Sequence, residues 1–118
     1  MTTPDAAPAA PRLAMEMIQD GAWQTVQLRG ELDRFTAPAL LGPVVTLIAQ
    51  EVPPLIALEL SQVSFCDSVG LNSFVRLWKR AASAGGELLL LRPQQRLADS
   101  LTRTGIDRHV RVRDSLPA

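Results

Sequence analysis

Cysteine and aromatic residues are scarce in this chain, and neither sign of charge is in excess. Cys66 is the only cysteine, so no internal disulfide can form and a reducing compartment is expected. Twelve basic residues balance twelve acidic ones, so the chain lacks the basic excess that usually accompanies binding to nucleic acid or to anionic membranes. With two Trp, three Phe and no Tyr, the interior must be filled by leucine, valine, isoleucine and alanine.

Long apolar segments are also missing. No run approaches the roughly 20 apolar residues of a transmembrane helix, and the N-terminus does not show the basic region and apolar core of a secretory signal peptide. We therefore expect a cytoplasmic protein with no direct contact to membrane or nucleic acid. A chain of 118 residues is long enough for one domain with its own core and too short for two.

The chain divides into a domain and two tails. Residues 1–12 are rich in Ala, Pro and Thr and have little to bury, so they predict a disordered N-terminal tail. The folded domain is expected over residues 13–113, and residues 114–118 form a short C-terminal tail.

Hydrophobic periodicity gives the order of the elements. Two extended runs flank a turn at Gly21 and predict an antiparallel hairpin. Helices are expected after the potential N-caps Thr36 and Asp67, ending at Pro53-Pro54 and Gly85-Gly86. The remaining segments predict strands over 55–60 and 87–91, a helix over 94–104 and an optional edge strand over 109–112. This order predicts an α/β domain with a mostly parallel sheet of four to five strands, an N-terminal antiparallel strand and three or more covering helices.

Two expectations concern burial. Trp23 lies next to the turn and is expected to be partly exposed. The second helix is expected to bury one face through residues at helical spacing, which are Leu71, Phe74, Val75, Trp78, Ala81 and Ala82.

Two acidic segments fall where strands run into helices, over residues 30–33 and 65–70. Because the carboxyl ends of parallel strands meet at one edge of a sheet, Asp33 and Ser68 are expected on one surface. Ser68 would occupy the first position of a helix, where a phosphate meets unpaired N–H groups and the positive end of the helix dipole. Phosphorylation there would change the charge of the surface without unfolding the domain.

The residues alone leave a simpler interpretation open. An Asp-Ser pair is a common start to a helix, and Asp33 could serve only to support the turn before its own helix.

The segment Val63-Ser-Phe-Cys-Asp-Ser-Val-Gly-Leu71, together with Gly30-Glu-Leu-Asp33, resembles the STAS domain of bacterial anti-sigma factor antagonists. The similarity covers residues 13 to 113, and the order of elements agrees with that fold. The resemblance implies that Ser68 is phosphorylated by a serine kinase that is also the anti-sigma factor. The unphosphorylated protein would bind this partner and release the sigma factor, and a PP2C-type phosphatase would reset the cycle. The implied partner-binding residues are Asp33, Asp67, Ser68, Val69, Gly70 and Asn72.

Two positions depart from the family pattern. Val69 stands where Ser, Thr or Ala is usual, and its β-branched side chain could slow the kinase or narrow the choice of partner. Cys66 replaces a more common Met, Ile or Leu. Neither change removes the Ser68 hydroxyl, so the predicted switch is retained.

Enzymatic and metal-binding functions are not expected. Cys66 follows an apolar strand and is predicted to be a small buried side chain. His109 is the only histidine and has no companion ligands, and the surroundings of Ser68 do not match the Gly-x-Ser-x-Gly motif of a serine hydrolase. No catalytic residue, metal or cofactor is therefore predicted. The alternative function is a STAS-type subunit or scaffold of a membrane transport ATPase or of a stress-signalling assembly, and the oligomeric state stays open.

Overall fold

A computed structural model describes residues 12–117 of the chain and contains five strands and three α-helices in this part. The predicted disordered tail lies outside the described residues apart from Arg12. The elements in chain order are β1 (Leu13–Asp20), β2 (Trp23–Leu32), α1 (Ala37–Gln50), β3 (Leu55–Cys66), α2 (Ser68–Ser83), β4 (Glu87–Leu91), α3 (Gln95–Thr104) and β5 (Arg111–Arg113).

The strands form one mixed sheet in the order β1-β2-β3-β4-β5. β1 runs antiparallel to β2, and every other neighbouring pair is parallel. The fold class expected from the sequence is confirmed, including the N-terminal antiparallel strand. The expected edge strand also exists, but it spans Arg111–Arg113 because a 3₁₀ turn over Ile106–Arg108 precedes it.

All three helices pack on one face of the sheet. Alternate residues of the central strands, such as Leu58 and Leu90, join side chains of α1, α2 and α3 in a single buried cluster. Phe74 of α2 is the largest fully buried side chain of this cluster. Burial of this apolar surface is the main force that holds the helices on the sheet.

The opposite face carries a smaller apolar cluster. Trp23 is buried there with Ala57, Leu89 and Leu91, and Leu116 packs against them. The expectation that Trp23 would be partly exposed was therefore wrong, because its side chain lies over the central strands and not beside the turn.

Two strands run further than their apolar patterns indicate. β2 continues to Leu32 and β3 to Cys66, where the sequence predicts loops. The second half of β3 is hard to recognise in the sequence, because it contains the exposed polar residues Ser61, Gln62 and Ser64. Backbone pairing between the two strands, with Glu31 opposite Phe65 and Leu32 opposite Cys66, extends them nonetheless.

The buried face of α2 also differs from the expected one. Leu77 and Ser73 are buried, whereas Ala82 is exposed and Val75 and Trp78 are only half-buried. The apolar stripe of this helix is wide, so the sequence is compatible with several choices of buried face. Packing against the sheet selects the face that includes Leu77. No helix within residues 12–117 is both long and apolar enough to cross a bilayer.

Candidate functional site

The carboxyl ends of β2 and β3 lie side by side and create the candidate site. Leu32 and Cys66 are direct neighbours in the parallel pairing, and the backbone N–H of Asp67 donates to the carbonyl of Leu32 at 3.1 Å. The two acidic segments therefore leave the sheet at the same point. The expected proximity of the segments that carry Asp33 and Ser68 is present in the structure.

Asp67 joins the two segments through its carboxylate. One oxygen accepts a hydrogen bond from the backbone N–H of Gly70 at 2.9 Å, which caps the N-terminus of α2. The other accepts from the backbone N–H of Arg34 at 3.3 Å. Asp67 thus supports the start of α2 and holds the turn before α1 against it.

Gly70 is buried beneath this cap. A Cβ at this position would lie 2.6 Å from the carbonyl oxygen of Leu32 and 2.8 Å from the Sγ of Cys66. The absence of a side chain therefore lets α2 approach the ends of β2 and β3. Gly70, which the resemblance implies to be a partner-binding residue, is therefore in contact with the sheet and not exposed on the surface.

Ser68 is the first residue of α2 and is exposed. None of the side-chain hydrogen bonds within residues 12–117 uses its hydroxyl, because Asp67 supplies the cap. Val69, with 43% of its surface exposed, and Asn72 lie on the accessible side of the same helix start. The hydroxyl is therefore available to a modifying enzyme, and its immediate neighbours are available to a partner.

Asp33 is buried and organises the turn before α1. Its carboxylate accepts hydrogen bonds from the backbone N–H groups of Phe35 at 2.9 Å and Thr36 at 3.1 Å. Burial by itself would raise the pKa of Asp33, but these N–H donors and the Arg12 cation outweigh it and hold that pKa below its usual value. Asp33 thus has the turn-supporting role that the sequence left open.

Thr36 does not cap α1 with its side chain, although it occupies the N-cap position. Its hydroxyl instead donates to the carbonyl of Glu31 and accepts from the backbone N–H of Asp33, both at 2.9 Å. The expected N-cap bond is therefore replaced by a local network in which Asp33 receives the N–H groups.

Arg12 closes this network from the start of β1. Its guanidinium pairs with the carboxylates of Asp33 and Glu31. Gly30 makes this approach possible: its φ of +116° is unfavourable for other residues, and a Cβ there would lie 2.1 Å from the carbonyl oxygen of Arg12. Arg12 was not predicted to be a site residue, because it lies in the segment predicted to be a tail.

Two exposed aromatic side chains lie on or next to the acidic segments and were not predicted as site residues. Phe35 is 67% exposed and Phe65 is 51% exposed. The guanidinium carbon of Arg34 lies 4.7 Å from the centre of the Phe35 ring, and that of Arg12 lies 5.7 Å from it. A signal was present in the sequence, since two of only three Phe residues flank the acidic segments in a chain poor in aromatics.

Cys66 and His109 have ordinary surroundings. Burial, with a smaller contribution from the Asp67 charge, raises the pKa of the half-buried Cys66 thiol to about 12. The ring of His109 lies 5.6 Å from that of Trp78. Within residues 12–117, His, Cys, Asp and Glu side chains form no cluster of three that could hold a metal ion.

Comparison with known proteins relates this arrangement to a family. The family model of the STAS domain matches residues 14–118. The anti-sigma-B factor antagonist of Bacillus subtilis is 36% identical over 81 residues, which are 69% of this chain and 72% of that protein.

Solved structures show the same fold. An anti-sigma factor antagonist from Mycobacterium paratuberculosis superposes with a TM-score of 0.79 at 24% identity, over 92% of each chain. The unphosphorylated form of the antagonist SpoIIAA has a TM-score of 0.72 at 20% identity, over 84% of this chain and 87% of that one. Its phosphorylated Bacillus form has a TM-score of 0.66 at 20% identity, over 84% and 90%. The family model spans almost the whole described domain, and the chain belongs to the STAS-domain family.

Proposed function

We propose that this protein is an anti-sigma factor antagonist whose partner binding is switched off by phosphorylation of Ser68. The observation that carries the proposal is the exposed Ser68 hydroxyl at the first position of α2, beside an Asp67 that already caps the helix. A phosphate added there displaces no intramolecular hydrogen bond of the serine. It adds up to two negative charges to a surface that already holds Asp67.

The partner in this proposal is a serine kinase that is also the anti-sigma factor. The segments around the Ser68 hydroxyl also carry exposed apolar side chains, namely Phe35, Phe65 and Val69. Exposed aromatic side chains beside polar groups are typical of protein–protein contact sites. A phosphate in this surface would oppose docking through charge repulsion and the cost of its desolvation.

The partner-binding residues divide into two roles. Ser68, Val69 and Asn72 are exposed and would meet the partner directly. Asp33, Asp67 and Gly70 hold the two segments in place and would act through the geometry of the surface.

The protein acts here by binding and not by catalysis. The kinase supplies ATP and the phosphoryl-transfer machinery, and a PP2C-type phosphatase removes the phosphate. This cycle places the protein in the cytoplasm with its partners, without direct contact to DNA or membrane. The similarity to a relative named as an antagonist supports this role over that of a subunit or scaffold in a transport or stress-signalling assembly.

A pull-down from the native cells tests the proposal. Tagged wild type, Ser68→Ala and Ser68→Asp are compared, and the partners are identified by mass spectrometry. Wild type and Ser68→Ala should retain a small ATP-binding kinase. Ser68→Asp should bind this kinase at least ~10-fold more weakly, because docking would have to desolvate the added carboxylate beside Asp67. With purified kinase and ATP, wild type should gain a phosphate on Ser68 and Ser68→Ala should gain none.

Ser83→Asp is the matched control, since Ser83 is an exposed serine at the other end of α2. This variant should bind the kinase as wild type does. Recovery of a transport ATPase that is indifferent to Ser68→Asp would contradict the antagonist function and favour the subunit role. Phosphorylation of Ser68→Ala at the wild-type stoichiometry would contradict the site.

A further inference from the structure

Arg34 is a cationic residue whose backbone is tied to Asp67, the residue that precedes Ser68. Its backbone N–H donates to the Asp67 carboxylate at 3.3 Å, and Asp67 immediately precedes Ser68. The backbone of Arg34 is therefore fixed one hydrogen bond away from the start of α2, although 33 positions separate Arg34 from Asp67 in the sequence.

The side chain of Arg34 is not committed to a carboxylate. No ion pair formed within residues 12–117 includes it. Its guanidinium lies 4.7 Å from the centre of the exposed Phe35 ring. An exposed contact of this kind is weaker than a charge-assisted pair between guanidinium and phosphate, which forms two parallel hydrogen bonds.

Arg12 is the other cation near this ring, but it is already occupied. Its guanidinium pairs with Asp33 and Glu31, and removing it would leave the buried Asp33 carboxylate without its cation. The Asp67 carboxylate is satisfied by two backbone N–H groups. Arg34 is thus the neighbouring cation that can change partner without exposing a buried charge.

We propose that Arg34 is the intramolecular partner of the Ser68 phosphate, and that it leaves the Phe35 ring to pair with this group. The inference rests on the proposed function, because it requires Ser68 to be modified. Phosphorylation would then change the surface in two places: it adds a dianion at Ser68 and removes a cation from Phe35. A partner that contacts both residues would detect a wider change than the phosphate alone.

The test measures the phosphate itself and needs no kinase. Phosphoserine is incorporated at position 68 during synthesis, and its second ionisation, at about pH 6, is followed by ³¹P NMR in wild type and Arg34→Gln. A nearby guanidinium favours the dianion, so the phosphate pKa should be higher in Arg34→Gln than in wild type by at least about half a unit. In wild type, the δ-protons of Arg34 should also lose the ring-current shift from Phe35 when the phosphate is present.

Arg80→Gln is the matched control. Arg80 is exposed in the last turn of α2, about 18 Å from Ser68 along the helix axis, so its removal should leave the phosphate pKa unchanged. Equal phosphate pKa values in wild type, Arg34→Gln and Arg80→Gln would overturn the proposal, as would an Arg34 ring-current shift that phosphorylation does not alter.

These outcomes are separate from those of the pull-down. A phosphate that pairs with Arg34 in a protein that no kinase binds would retain this inference and contradict the antagonist function. If Ser68→Asp releases the kinase but Arg34→Gln leaves the phosphate pKa unchanged, the antagonist function stands and this inference is contradicted.

Discussion

At the level of single residues, two carboxylates hold the site in place and one hydroxyl is left exposed. Asp33 accepts the N–H groups of its own turn, and Asp67 accepts those of Gly70 and Arg34. Both carboxylates are therefore already engaged in hydrogen bonds that hold the fold. Ser68 is left exposed at the helix start because its neighbour supplies the cap, which leaves the hydroxyl free to be chemically modified.

Cys66 lies next to Asp67, and its burial suppresses the reactivity of its own thiol. Its thiol pKa is raised to about 12 by burial and by the Asp67 charge, so almost no thiolate exists near neutral pH. Reaction with iodoacetamide at mildly alkaline pH should therefore be about a hundredfold slower than for an ordinary exposed cysteine, after allowance for the greater nucleophilicity of a more basic thiolate. Alkylation is followed by intact-protein mass spectrometry.

The control for this measurement moves the thiol to an open position. Cys66→Ala combined with Ser83→Cys places it on the exposed end of α2, where the ordinary rate should return. If native Cys66 is alkylated as fast as this variant, its thiol pKa is not raised and a redox role becomes possible again.

At the scale of elements, the position of α2 depends on a close contact between a helix and two strand ends. Gly70 lies against Leu32 and Cys66, and an added Cβ would overlap the Leu32 carbonyl oxygen at 2.6 Å. Because this neighbour is backbone, it cannot move away cheaply. The start of α2, and with it Ser68, is set by the absence of one side chain.

Gly70→Ala should therefore lower the free energy of unfolding by about 1–3 kcal/mol, the usual cost of overpacking a close contact. Chemical denaturation followed by circular dichroism measures the change. We also expect weaker binding to the proposed kinase partner, because the helix start must shift to admit the methyl group.

Gly42→Ala is the matched comparison within α1. No other element lies within 4 Å of a Cβ at this exposed helical position. Alanine should therefore change the free energy of unfolding much less than Gly70→Ala does, because a gain in helix propensity of about 0.5–1 kcal/mol is opposed by crowding between the new Cβ and the ring of Pro43. Equal effects of the two substitutions would show that helix propensity, and not the contact with Leu32, determines the importance of Gly70.

At the scale of the whole molecule, the two faces of the sheet are covered unequally. Three helices bury one face, whereas the other relies on a small cluster around Trp23 that Leu116 helps to cover. Arg92 secures the chain next to Leu116: it pairs with the buried Glu59 at 2.7 Å and donates to the carbonyl of Asp114 at 2.5 Å. The segment after β5 therefore contributes to the packing of the sheet.

Leu116→Ala should lower the free energy of unfolding by about 1–2 kcal/mol, roughly half the cost of truncating a fully buried leucine. Thermal or chemical unfolding measures this change. Pro117→Ala, at the exposed neighbouring position, should have little effect. A change below about 0.3 kcal/mol in Leu116→Ala would show that the helix-free face is stable without this cover.

Local patterns in the sequence predicted much of this architecture because most elements carry their own signals. The amphipathic period of α2, the Asp67 cap and the apolar run of β4 all indicate their structure from neighbouring residues alone. The predicted ends of β2 and β3 were wrong because these segments lack such local signals. Polar residues such as Glu31, Gln62 and Ser64 interrupt their apolar patterns, and the segments are extended because they hydrogen-bond to each other across more than 30 positions of sequence.

The order of the elements, the cap of α2 and the position of Ser68 at the first turn of that helix can be read from local residue patterns, since each depends on residues a few positions apart. The residues that meet at the end of the sheet are known only from the folded protein: Arg12 pairs with Asp33, Arg34 bonds to Asp67, and Gly70 packs against Leu32. These contacts arise because parallel pairing brings the ends of distant strands together, and packing against the sheet then sets how closely the following helix can approach.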